Sequence, residues 1–218
     1  MRPTRAWVLL PSGRQLNLLA PDPGAWTDQD RAIGLSRTFR WAGYSAREHP
    51  LSVAKHSLTV LALRRQDAGR PLTATEARHE LQHDAALLGR HDPITPIKPI
   101  KPHLGDGYRE LVTNHQAGVD ARYALPAWDD HSYCHHKFAD RLAAASEGLH
   151  VVGWSRGELR DDLEITTEPS DHDPLAPLQG CAPWEPWPAG FAGERSLEAL
   201  QLLTVAPGET VRVHPETA

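Results

Sequence analysis

His79-Glu80-Leu81-Gln82-His83 and His83-Asp84 are two metal-binding patterns that share one histidine. In the first, His79 and His83 stand four apart, so a helix turns both imidazoles toward one zinc, with Glu80 beside them as base for a water. That is the chemistry of zinc-assisted peptide hydrolysis. It needs a third ligand, and the extended form of the pattern fails here, because Ala86 and Gly89 stand where Gly and His are required. Glu110 is the conceivable downstream substitute. In the second pattern, an adjacent His and Asp turn toward one metal only when neighbouring helices bring further ligands. Two residues offer themselves: His56 in "LSVAKHSLTV" and Asp140 in "HKFADRLAAASE".

These residues need elements to carry them. "RAWVLLPSGRQLNLL" reads as two short strands around a Ser12-Gly13 turn, followed by the punctuation of "APDPGAW". Thr27 and Asp30 form a capping box that opens a helix with Ile33, Leu35, Phe39 and Trp41, stopping near Gly43. Ser52 caps a second helix, "VAKHSLTVLALRRQ". Thr73 or Thr75 starts a third, which runs through the paired motifs to Gly89 and the Pro-broken loop "DPITPIKPIKPHLG". A fourth helix covers "GYRELVTNHQAGVDARY". A fifth runs from about His131 to Val152, with Phe138, Leu142, Ala145 and Leu149 as its core stripe. A helix over "SRGELRDDLE" leads into the irregular, Pro- and Trp-rich "TEPSDHDPLAPLQGCAPWEPWPAG", and "GERSLEALQLL" reads as a last short helix.

The composition narrows the function. With 218 residues, 40% of them hydrophobic, one domain can bury a core without a second. A net charge of -5 with scattered Lys and Arg argues against a surface that tracks long nucleic acid, whereas a small phosphorylated ligand needs only a few cations. Cys134 and Cys181 stand far apart, which excludes a disulfide framework and a Cys-rich zinc site and suits a reducing, cytoplasmic setting. No apolar run reaches the length of a membrane span, so no membrane partner is expected. Thirteen histidines, clustered among the helical patterns, suggest metal, although a single histidine taken at random is more often a surface or hydrogen-bonded residue.

"SRTFRWAGYSAREHPLSVAKHSLTV", "HDAALLGRHDPITPIK" and "HKFADRLAAASEGLHVV" occur in the order of three motif regions and span about half the chain. In them the sequence resembles the HD-domain metal-dependent phosphohydrolases, closest to the subgroup of 5'-deoxynucleotidases and related deoxynucleotide hydrolases. The resemblance implies an all-α HD-domain helical bundle, carrying here a small N-terminal β-hairpin and an irregular C-terminal strap. The divisions are residues 1–26 for the hairpin, 27–165 for the HD domain and 166–218 for the Pro/Trp-rich extension. It implies His56, His83, Asp84 and Asp140 as ligands of a divalent transition metal, with Mn, Co, Fe, Ni and Zn all compatible with mixed N and O donors. It also implies hydrolysis of a small nucleotide, a deoxynucleoside 5'-monophosphate first, by attack of a metal-bound water on phosphorus, and a homodimer. Arg40 becomes a phosphate partner, Trp41 an aromatic wall for the nucleoside, and Lys98 a further cation for the phosphate. Lys55 is a weaker candidate, expected to be solvated.

The pattern departs from the family at one acid. Leu87 stands four residues after His83, where the family usually has a catalytic glutamate. Asp92, nine after His83, falls where the family has an acid in the loop and becomes the candidate catalytic residue, with His91 or Glu80 as neighbours able to carry a proton. Three readings stay open: a working phosphohydrolase, a degenerate HD domain that binds metal and nucleotide with little turnover, and a zinc metalloprotease using His79, Glu80 and His83.

Overall fold

Val8 and Leu16 point inward from the two arms of a hairpin, and the other regular elements among the described residues are helices. In the computed structural model, which describes residues 6–88, 105–175 and 182–204, β1 (Trp7–Leu9) pairs antiparallel with β2 (Gln15–Asn17), Val8 opposite Leu16. The turn between them uses Gly13 at φ 80°. Ser12 donates to the Asp30 carboxylate from its amide (2.9 Å) and its hydroxyl (2.7 Å). The same carboxylate closes the capping box with Thr27 at the start of α1 (Asp28–Ser36), which ties the hairpin to the bundle.

The helix expected to reach Gly43 ends at Ser36. Beyond it, Thr38 and Arg40 spend their backbone groups on the segment before the next helix: the Arg40 amide donates to the Leu51 carbonyl and the Val53 amide to the Thr38 carbonyl, both at 2.8 Å. Residues Arg40–Gly43 then make a tight turn in which Trp41 and Ala42 (both φ 55°) and Gly43 (φ 80°) are left-handed. Outside glycine this conformation costs about 1–2 kcal/mol per residue, so the surrounding contacts must impose it.

Ser52 caps α2 (Val53–Asp67), accepting from the Lys55 amide at 3.2 Å. Every residue from Val53 to Leu61 is buried, because α1 and helices later in the chain pack around this helix. Thr73 and Glu76 form the capping box of α3 (Ala74–Gln82). The expectation that this helix continues to Gly89 is corrected. It stops at Gln82, and a short 3₁₀ turn (Ala85–Leu87) follows. The His83 Nδ1–H takes the Glu80 carbonyl at 2.7 Å, the acceptor that the Asp84 amide would need to continue the helix. The Pro-rich loop with its doubled Pro-Ile-Lys unit, and with it His91, Asp92 and Lys98, lies outside the described residues.

α4 (Gly105–Tyr123) and α5 (Asp130–Glu147) run as expected, and α5 continues through a π turn (Gly148–Val152) that Gly153 ends at φ 96°. Of the core stripe expected, Ala145 is buried and Leu142 packs against Val60 and Leu63 of α2, but Phe138 is 50% exposed, and the contact with α2 is made chiefly by Ala139 and Ala143. Small residues let these two helices approach closely, and an apolar pattern built on large side chains misses them. α6 (Arg156–Asp161) is capped by Ser155 and Glu158. The described part of the strap is irregular, and α7 (Ala189–Thr204) packs on α1, α2 and α3, so the chain's last described helix belongs to the bundle. Among the described residues, no helix is long and apolar enough to cross a membrane.

Candidate metal centre

The first turn of α2 and the middle of α5 meet at His56 and Asp140, and the broken end of α3 brings His83 and Asp84 to the same point. His56 is fully buried, and its Nδ1–H donates to Oε1 of Glu147 at 2.6 Å. His83 spends its own Nδ1–H on the Glu80 carbonyl. A carboxylate and a carbonyl both accept, so each ring is fixed in the tautomer that leaves a lone pair on Nε2. Those two Nε2 atoms face each other at 3.3 Å.

Carboxylate oxygens close the group. Asp140 Oδ1 lies 3.4 Å from His56 Nε2, and Asp84 Oδ2 lies 3.4 Å from His83 Nε2 and 3.6 Å from His56 Nε2. The ligand atoms of His56, His83 and Asp140 all fall within 4.8 Å of one another. Two donors bound at about 2.1 Å and roughly 90–110° apart stand about 3.0–3.4 Å from each other, so the spacing suits one first-row divalent ion. Two acceptor nitrogens aimed at each other are repulsive unless a cation or a proton sits between them. The donor set therefore fits a metal on chemical grounds.

The electrostatics carry the same mark. Burial and the Arg40 charge push the His56 imidazole down, yet the Glu147 and Asp140 carboxylates outweigh them and hold it at about 9. His83 is also raised despite its burial, chiefly by Asp84. Burial opposes ionisation of Asp84, Asp140 and Glu147 as well. The neighbouring imidazoles overcome it and keep all three below the usual carboxylate range.

Glu147 is the residue that sequence reasoning missed. It is 1% exposed, orients His56 through Oε1 and receives Arg40 Nε at 3.4 Å on Oε2. Its signal was present: it stands seven residues after Asp140, two helical turns along the same face of α5. Lys137, three before Asp140, was also passed over; its Nζ donates to Asp140 Oδ2 at 2.6 Å.

Of the expected substrate residues, Arg40 is at the centre, with Nη1 3.7 Å from Asp84 Oδ2. Trp41 is 4% exposed and packs with Leu51 and Val151, against the start of the π turn. A Cβ on Gly148 would come within 2.6 Å of Leu159 Cδ2 and 3.4 Å of the Trp41 ring, so a larger residue there would have to displace the Leu159 side chain. Lys55, expected to be solvated, is 1% exposed instead: Nζ donates to the Glu185 carbonyl at 2.9 Å and sits over the Trp187 ring, holding the strap to α2. Leu87 is buried in the main core.

The other two residues of the overlapping pattern are engaged away from the centre. His79 stacks on Trp128 at 3.5 Å, while Glu80 receives Arg64 Nε at 3.0 Å and His136 Nδ1 at 2.8 Å. Glu110 is exposed on α4. Only His83 of that pattern joins the centre.

No protein-family model matches the chain. It is similar to an uncharacterized protein of Rhodobacter capsulatus, with 36% identity over 156 residues that cover 71% of this chain and 77% of that protein. At that identity and coverage, this chain and the Rhodobacter protein belong to one family.

Proposed function

We propose that the chain is a metal-dependent phosphohydrolase of the HD type acting on small nucleotides, with deoxynucleoside 5'-monophosphates as the first substrate class. The observation that carries this reading is the pair of Nε2 atoms at 3.3 Å, each with its other ring nitrogen committed, beside the oxygens of Asp84 and Asp140. His56, His83, Asp84 and Asp140 would hold the ion. When bound, a divalent ion supplies a water of lowered pKa and screens the charge of a phosphate.

The protein's own side chains divide the remaining work. Glu147 and the Glu80 carbonyl fix the two imidazole tautomers. Arg40, held between Asp84 and Glu147, presents a guanidinium that grips a phosphate oxygen by charge-assisted hydrogen bonds. Trp41 acts as the buried anchor of the left-handed turn that aims Arg40. Leu87 carries no proton, so proton transfer falls to another group, for which Asp92 is the candidate. Losing one acid–base group lowers a rate by about a hundred- to ten-thousand-fold, which leaves slow turnover measurable.

The test is release of inorganic phosphate from a panel of deoxynucleoside 5'-monophosphates by the purified chain in Mn²⁺ or Co²⁺. Release that stops on chelation supports the reading. Bound metal with no release from any nucleotide favours the binding-only alternative, which the apolar Leu87 motivates. Against the protease alternative, Glu80 is engaged by Arg64 and His136.

A further inference from the structure

Three cations lie on residues next to the centre, and their surroundings differ. Arg40 is already divided between Asp84 and Glu147. Lys55 is sealed under the strap on the Glu185 carbonyl. Lys137 is neither divided nor sealed. Its side chain is 35% exposed, and its hydrogen bond among the described residues goes to Asp140 Oδ2. An ammonium has three donors, so two remain for a ligand arriving from solvent.

The placement gives those donors a target. Asp140 is split, with Oδ1 toward His56 Nε2 and Oδ2 toward Lys137, so Lys137 is one carboxylate away from the space between the histidines. Along α5 the order is Lys137, Asp140, Glu147. Arg40 reaches the centre from the Glu147 end and Lys137 from the other. The Lys137 ammonium stands at the solvent edge of this part-buried pair, so the ion pair leaves its other donors open toward solvent. The geometry points to Lys137 as a second phosphate-contacting cation, which grips the phosphate from the side opposite Arg40 while steadying the outer oxygen of Asp140. This rests on the phosphohydrolase reading and extends its substrate site by a residue to which the resemblance assigned no role.

The experiment is calorimetric titration of inorganic phosphate into the Mn²⁺-loaded full chain, for the parent, Lys137→Gln, Lys137→Arg and Arg40→Gln. The expected result is a phosphate dissociation constant about tenfold or more higher in Lys137→Gln, as for loss of one charge-assisted hydrogen bond. Mn²⁺ stoichiometry stays unchanged, and Lys137→Arg recovers most of the affinity. Unaltered phosphate affinity in Lys137→Gln, with affinity lost in Arg40→Gln, overturns the role of Lys137 and leaves the phosphohydrolase reading standing. Loss of Mn²⁺ from Lys137→Gln reduces the residue to a support for Asp140 and overturns the proposal as well. A parent that holds Mn²⁺ but takes no phosphate overturns both.

Discussion

Glu147 does for His56 what a backbone carbonyl does for His83: it holds the proton on Nδ1 so that Nε2 is available. Glu147→Gln keeps the shape but loses the charge and frees the tautomer. Metal affinity should fall about 10- to 100-fold, read by competition with a chelating dye. Unchanged affinity would mean that His56 is oriented by packing alone. The same carboxylates set the pH dependence. In the metal-free protein His56 is held at about 9, so at neutral pH its imidazole is protonated and a metal must displace that proton. Affinity therefore rises with pH up to about 9 and then levels. Titrations at neutral pH in buffers of different ionisation enthalpy should show proton release on metal binding; none would place the ion elsewhere. That His56, His83 and Asp140 come together, with Asp84 beside them, was legible in the sequence because ligand chemistry restricts residue types. Glu147 and Lys137 contact His56 and Asp140; their spacing puts them on the Asp140 face of α5 but assigns them no role.

At the scale of elements, caps were legible and interruptions were not. Thr27, Ser52 and Thr73 begin their helices where the sequence placed them, since a capping side chain acts within its own turn. The ends of α1 and α3 depend on partners elsewhere. Leu51 draws the Arg40 amide out of helical register, and His83 takes its carbonyl from the turn behind it. Both interruptions serve the centre, one aiming Arg40 and the other turning His83 and Asp84 together. The left-handed turn at Trp41 and Ala42 should be sensitive to side-chain branching. Ala42 is exposed, so its substitution tests backbone conformation without a packing change. Ala42→Val should lose about 1–2 kcal/mol in chemical denaturation, while Ala42→Gly stays at least as stable as the parent. Equal stability of the Val and Gly variants would contradict the strained turn. The stripe on α5 was legible in part: Leu142 and Ala145 lie inward as expected, while Ala139 and Ala143 were passed over because the value of alanine lies in close approach rather than in apolar bulk.

Across the whole molecule, the bundle closes on α2 from its two chain ends. Arg31 of α1, fully buried, donates to Gln82 (2.6 Å), to the Leu81 carbonyl (2.9 Å) and to Ser196 of α7 (2.8 Å), joining three helices at one guanidinium. Lys55 fastens the strap to the helix that carries His56. The helical class and the N-terminal hairpin could be read from periodicity and turn residues. The place of α7 in the core could not, because a contact between Arg31 and Ser196 spans 165 residues and leaves no local pattern. The central claim is that His83 belongs with Asp84, His56 and Asp140, and not with His79 and Glu80. Its most direct measurement is Mn²⁺ binding together with phosphate release from deoxynucleoside 5'-monophosphates by the parent, His79→Ala and Asp140→Ala. The account predicts that Asp140→Ala loses both and His79→Ala keeps both; loss in His79→Ala with retention in Asp140→Ala would contradict it.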